Sequence, residues 1–145
     1  MKYAVKYFPE LWAGKKLAYP FVPPESPKLS KCVVVGNLVF VSGANGQETL
    51  DGKSISGNFE DQMIVALDKI RRAMEEAGSS MNNIVKTLII TKNLNDYPKM
   101  RTIELEYYQK HAPYLVENPP ASTYIQTQIL DISEPLVEID VIGIV

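Results

Sequence analysis

The chain has 145 residues, enough for one domain with a buried core and too few for two. Lys plus Arg number 15 against 17 Asp plus Glu, a net charge of −2, which excludes the clustered basic excess of a nucleic-acid footprint. Apolar residues at 46% exclude disorder as the main state, while one cysteine and one histidine exclude an intrachain disulfide, a cysteine-based zinc cluster and most histidine-based metal sites.

The first twenty residues never assemble the roughly 7–15-residue apolar run of a secretory signal. No stretch approaches the roughly 20 apolar residues of a membrane span. A lone thiol, Cys32, suits a reducing compartment, so the expected location is cytoplasmic.

Five of the 10 prolines (Pro9, Pro20, Pro23, Pro24 and Pro27) fall before residue 28. Proline fixes φ and removes a donor, so residues 1–29 are expected to be mostly irregular or extended. The aromatic residues there, among them Tyr7, Phe8, Trp12 and Phe21, need a surface to pack on. Residues 31–42 then read as a hairpin: two β-branched runs flank Gly36-Asn37, and glycine supplies the positive φ of a primed turn. The Gly, Asn, Asp and Ser content of residues 43–57 predicts a loop.

A helix is predicted over 59–77. Asn58 is its expected N-cap, Glu60 and Asp61 complement its positive end, and Gly78 stops it. Met63, Ala66, Leu67, Ile70, Ala73, Met74 and Ala77 form one 3.6-period stripe. Residues 85–91 predict a strand. A second helix is predicted over 96–110, capped by Asn95, with Pro98 in its first turn and Met100, Ile103, Tyr107 and Tyr108 on its buried side. Strands are predicted over 122–129 and 136–145. The order β-β-α-β-α-β-β indicates an α+β class, a mixed β-sheet with two helices packed on one face. In the last strand Val137, Ile139 and Val141 alternate with Glu138, Asp140, Ile142 and Ile144. Neither side is cleanly polar, so both are expected to be covered, one of them by another copy of the chain.

Glu138 and Asp140 are the leading chemical candidates. At i and i+2 of a strand they share a face between apolar neighbours. Proximity and burial both raise a carboxyl pKa toward general acid–base duty; a solvated pair at the rim of a subunit cleft is the plainer reading. Ser122 and Thr123 follow the rigid Pro119-Pro120-Ala121 step and could offer hydroxyls to a ligand, or serve only as strand residues. Gly43 ends a strand where backbone can approach a ligand closely, or simply turns the chain. His111 is expected to close a helix, Arg71 and Arg72 to lie on the surface, and Arg101 is solvated in the plainer reading.

Several segments together resemble the Rid family, the reactive intermediate deaminases also called YjgF or L-PSP. They are Gly36-Asn37-Leu38-Val39-Phe40-Val41-Ser42-Gly43, Gln62 with Ala66-Leu67, Ala77-Gly78, Ile84-Val85-Lys86-Thr87, Leu94-Asn95-Asp96-Tyr97, Pro119-Pro120-Ala121 and Val137-Glu138-Ile139. They occur in family order across residues 30–145, which leaves 1–29 as an N-terminal extension outside the family pattern. The resemblance implies a chorismate-mutase-like fold and a homotrimer with ligand sites in the clefts between subunits. It also implies hydrolysis of an imine or enamine to an oxo compound and ammonia, with no metal and no organic cofactor.

On that resemblance Glu138 is the catalytic residue, holding water or a proton. Ser122 stands where the family carries an arginine that fixes the substrate carboxylate. Ser30 matches the family's Gly-Pro-Tyr-Ser loop, while Leu29 stands at its tyrosine and Arg101 at an asparagine. The expected substrate-binding set is therefore Ser122, Arg101, Ser30, Gly43 and Thr123 around a small, anionic ligand, with no nucleic acid and no membrane partner. Two readings follow from Ser122. In one, the chain is a hydrolytic deaminase whose cation has moved, to Arg101 or to the N-terminal stretch. In the other, it is a trimeric metabolite-binding or regulatory protein without imine deaminase activity.

Overall fold

The computed structural model describes residues 4–10, 29–47, 57–128 and 135–145. Six strands form one sheet: β1 (Val5–Glu10), β2 (Leu29–Val35), β3 (Leu38–Asn45), β4 (Ile84–Thr91), β5 (Ala121–Gln126) and β6 (Val137–Ile144). Two long helices, α1 (Phe59–Glu76) and α2 (Tyr97–His111), and the short α3 (Tyr114–Glu117) complete the described elements. The spatial order is β1-β2-β3-β6-β4-β5. All neighbours are antiparallel except β4 and β5, which run parallel and are joined through α2. The α+β mixed sheet expected from the sequence is present, with one strand more than expected.

That extra strand is β1. Within residues read as mostly irregular or extended, Val5–Glu10 pairs with β2, Val5 opposite Val35 and Phe8 opposite Cys32. Phe8 packs against the core, whereas Tyr7 stays exposed. Trp12 and Phe21 lie outside the described residues. The β2–β3 hairpin turns at Gly36, whose φ of 61° an L side chain disfavours. Val35 faces Leu38 and Cys32 faces Val41 across it. The loop expected from 43 starts later, because β3 continues to Asn45; residues 48–56 lie outside the description.

α1 follows its sequence pattern closely. Asn58 Oδ1 accepts the Glu60 N–H at 2.9 Å and the Asp61 N–H at 3.4 Å, satisfying donors the helix cannot. Met63, Ala66, Leu67, Ile70, Ala73 and Met74 are buried on the sheet face formed by Val39, Val41, Ile139 and Val141. Gly78, at φ 85°, ends the helix. α2 differs at its start. Asn93 caps the preceding 3₁₀ turn by accepting the Asn95 N–H at 2.9 Å, and no side chain caps α2 itself. Arg71, expected on the surface, ties the helices together: it donates to Tyr107 Oη at 3.2 Å and pairs with Glu75 at 2.9 Å, while the Tyr107 hydroxyl donates to Asp68. His111 is the last residue of α2 and lies against the Tyr107 ring, centroids 4.4 Å apart.

The helices cover one face of the sheet only. On the other, Leu38 and Phe40 of β3 and Ile144 of β6 are each about two-fifths exposed. Among the described residues, no helix is long and apolar enough to cross a membrane.

Candidate active site

The predicted site residues fall into two groups on opposite faces of the sheet. Alternation along β6 directs Val137, Ile139 and Val141 toward the helices, so Glu138 and Asp140 lie on the open face. Gly43 of β3 lies against Glu138: a Cβ there would stand 2.0 Å from Glu138 Oε1. This close approach sits where the β3–β6 register shifts, between Val41 and Ala44. Thr123 of β5 shares the open face, paired in register with Leu88, which is itself opposite Asp140. Its Oγ1 accepts from Lys86 Nζ at 2.6 Å. Ser30 of β2 contributes a carbonyl, which accepts from Ser42 Oγ at 2.7 Å.

Burial raises the Glu138 pKa, and the neighbouring Asp140 charge adds to the rise. Asp140 is raised by burial as well; its own backbone N–H and the Lys86 charge pull it partly back. Asp140 Oδ1 is buried without a hydrogen-bond partner. Asp140→Asn should therefore move the Glu138 titration to lower pH, read by carboxyl carbon NMR. An unmoved midpoint would show that burial alone sets it. Folded-state values above the ordinary 4.5 and 3.8 mean that the native state binds the extra protons. Stability contributed by these two groups is thus greatest at low pH and declines as pH rises through their folded values.

The second group lies on the helix side. Ser122 is paired in register with Thr87, whose Oγ1 donates to Ser122 Oγ at 2.9 Å. Ser122 and Arg101 line one cavity of about 270 Å³ between α2, α3 and the start of β5. Glu104, Leu105, Tyr108, Leu115, Pro119 and Pro120 belong to the same wall. Arg101 is half-exposed and already engaged, forming an ion pair with the Glu104 carboxylate three residues on. Glu104 is only 2% exposed and also accepts the Tyr108 hydroxyl at 3.2 Å. Burial raises its pKa, opposed by Arg101 and Tyr108.

Sequence reasoning missed Glu104. A signal was present, since position 104 lies four residues after Met100 and four before Tyr108, on the helix's apolar stripe. A carboxylate on such a stripe needs a cation within reach, and Arg101 is one turn away. Among the described residues, no three His, Cys, Asp or Glu side chains are grouped to hold a metal ion.

The geometry offers two chemical elements: a carboxyl poised to carry a proton on the open face, and a largely apolar cavity with one ion pair and one hydroxyl pair. Known proteins carry the same framework. Escherichia coli TdcF, solved with bound serine, superposes with a TM-score of 0.73 at 21% identity, covering 97% of this chain and 98% of that one. Yeast Mmf1 gives 0.72 at 19% identity, covering 97% and 98%. Among curated sequences, a RutC family protein of Pyrococcus horikoshii is 28% identical over 114 residues, 79% of this chain and 84% of the relative. A human 2-iminobutanoate/2-iminopropanoate deaminase is 26% identical over 111 residues, 74% and 81% respectively. The family model described as Endoribonuclease L-PSP matches residues 23–145. The chain belongs to that family, known also as YjgF or Rid.

Proposed function

We infer that the chain is a hydrolytic deaminase acting on a small imine or enamine, or a related reactive nitrogen compound. The observation that carries this reading is the Glu138 carboxyl, half-buried over Gly43 with a raised pKa. Glu138 accepts a proton from water as the oxygen adds to the imine carbon, and returns it to the nitrogen. The carbinolamine then collapses to the carbonyl compound and ammonia. An enamine takes a proton on carbon first and enters the same sequence as its imine. Relatives named as 2-iminobutanoate/2-iminopropanoate deaminases support the reaction class.

On this reading the chain works as a cytoplasmic homotrimer. The half-exposed Leu38, Phe40 and Ile144 on the uncovered sheet face support burial against other copies. Assembly would set Glu138 in a cleft between copies, drier than in the single chain. The expected substrate-binding residues, Arg101 and Ser122 on the cavity wall and Thr123, Gly43 and Ser30 beside Glu138, lie on opposite sides of the sheet, so on this reading one anionic ligand would meet both groups only where different copies come together.

Ser122 and the engaged Arg101 favour a second reading, binding without hydrolysis. The two are separated by generating 2-iminobutanoate in situ with an amino-acid oxidase and following ammonia and 2-oxobutanoate. A deaminase accelerates release above the spontaneous rate in proportion to protein. Release at the buffer rate, across imines with and without a carboxylate, establishes the binding module instead.

A further inference from the structure

The cavity between α2, α3 and β5 holds a cation that is already matched. Of its lining residues, only Arg101, Glu104 and Tyr108 ionise. Arg101 and Tyr108 also face Glu104, both from α2; α3 and the turn into β5 contribute Leu115, Val116, Pro119, Pro120 and Ser122, none of them titratable. Both Glu104 oxygens are occupied, one by Arg101 and the other by Tyr108. The pair is therefore electrically neutral as seen from the cavity, and its carboxylate sits at the buried end.

We propose that Glu104 is the specificity-determining residue of this cavity: it occupies the Arg101 guanidinium and repels a second carboxylate, so the cavity takes uncharged polar ligands over carboxylate-bearing ones. A ligand carboxylate reaching Arg101 would stand within about 5 Å of Glu104, because Arg101 already contacts the Glu104 carboxylate. At an effective dielectric near 20 that repulsion, on the order of a hundredfold in affinity, offsets most of the Arg101 attraction and leaves the cost of desolvating the ligand carboxylate uncompensated. Neutral ligands escape the repulsion and can use the Ser122–Thr87 hydroxyl pair. The assignment rests on reading the cavity as a ligand site, and it replaces the anionic ligand expected at Arg101 with an uncharged one.

The test uses two probes of equal size, 2-oxobutanoate and 2-oxobutanamide, titrated into the full chain by NMR. At pH 7.5 the wild-type protein should bind the amide at least about tenfold more tightly than the carboxylate. In Glu104→Gln the guanidinium is released from its counter-charge, and the preference should reverse. Wild-type preference for the carboxylate, binding of neither probe, or an unchanged order in Glu104→Gln each overturns the proposal. If Glu104→Gln fails to fold, the wild-type protein gives the same answer through pH. Lowering pH protonates Glu104, so carboxylate affinity should rise while amide affinity stays level; two level profiles overturn it. Turnover of in situ imine is read separately, so failed selectivity beside intact turnover sinks this inference and leaves the deaminase standing.

Discussion

Gly46→Ala should strongly destabilise the protein. A Cβ at Gly46 would lie 2.0 Å from the Gln62 carbonyl oxygen, 2.3 Å from its Cα and 2.4 Å from its carbonyl carbon. These are backbone atoms inside α1, so no rotamer change relieves the clash. Either the segment after β3 or the first turns of α1 must move. Gln62 cannot yield freely, because its side chain is buried and its Oε1 accepts the Leu136 N–H at 2.8 Å, just before β6. One methyl group thus wedges apart β3, α1 and the approach to β6. Overpacking in a close-packed interior costs typically about 1–3 kcal/mol, and a backbone clash belongs at or above the upper end. For a chain of this length that is a melting temperature lower by about 10 °C. Thermal unfolding followed by circular dichroism checks it; a loss of under about 2 °C would mean that the strand end and α1 are not held together as described.

Glu138→Gln should leave stability intact or raised while removing the proposed activity. Glutamine keeps the shape but can neither take nor give the proton, and loss of general acid–base help costs about 100-fold or more in turnover. Burial and Asp140 both disfavour the Glu138 charge, so its removal should leave the melting temperature unchanged or higher at neutral pH. A variant that loses activity only because it is less stable would show the reverse. Gly43→Ala supplies an independent check. Its Cβ meets the Glu138 carboxylate at 2.0 Å, but that group is the far end of a flexible side chain and can swing away. Stability should change little, and turnover should fall because the carboxyl is displaced by more than an ångström, a shift that can cost about 100-fold. Wild-type kinetics in both variants would remove Glu138 from the reaction.

The pairing of Gly43 with Gly46 shows what the sequence could and could not convey. Both lie in a stretch whose composition reads as loop. Glycine content announces that backbone comes close to something, but the partner, Glu138 for one and Gln62 for the other, is set by tertiary packing. Elements with their own signals were legible. The α1 stripe, the Asn58 cap and the Gly36 turn are local, and local chemistry fixes them. β1 was not, because Val5–Glu10 is too proline- and aromatic-marked to alternate cleanly and is a strand only by pairing with β2. Asn95 does not cap α2, because a 3₁₀ turn capped by Asn93 precedes the helix, which then starts without a side-chain cap.

The sequence offers candidate residues but not their geometry. Strand period places Glu138 and Asp140 on one face without structural help. The same period sends Ser122 and Thr123, adjacent in sequence, to opposite faces, but it does not reveal which face each takes. Parallel pairing of β5 with β4 decides that, bringing Ser122 to Thr87 and leaving Thr123 to Lys86. Nor does Arg101 alone disclose its partner, the buried Glu104 carboxylate three residues on in the same helix.

The sheet order carries a kinetic consequence. β6, the last strand along the chain, occupies an interior position between β3 and β4. Before it arrives, β1, β2 and β3 can form a meander and β4 and β5 can align, but nothing joins them into one surface. The pairing of β6 with β3, Val41 opposite Val141, spans most of the chain, and such long-range pairing is slow. Glu138 and Asp140 ride on β6. The carboxyl of the proposed reaction therefore takes its place over Gly43 only when the last strand pairs with β3.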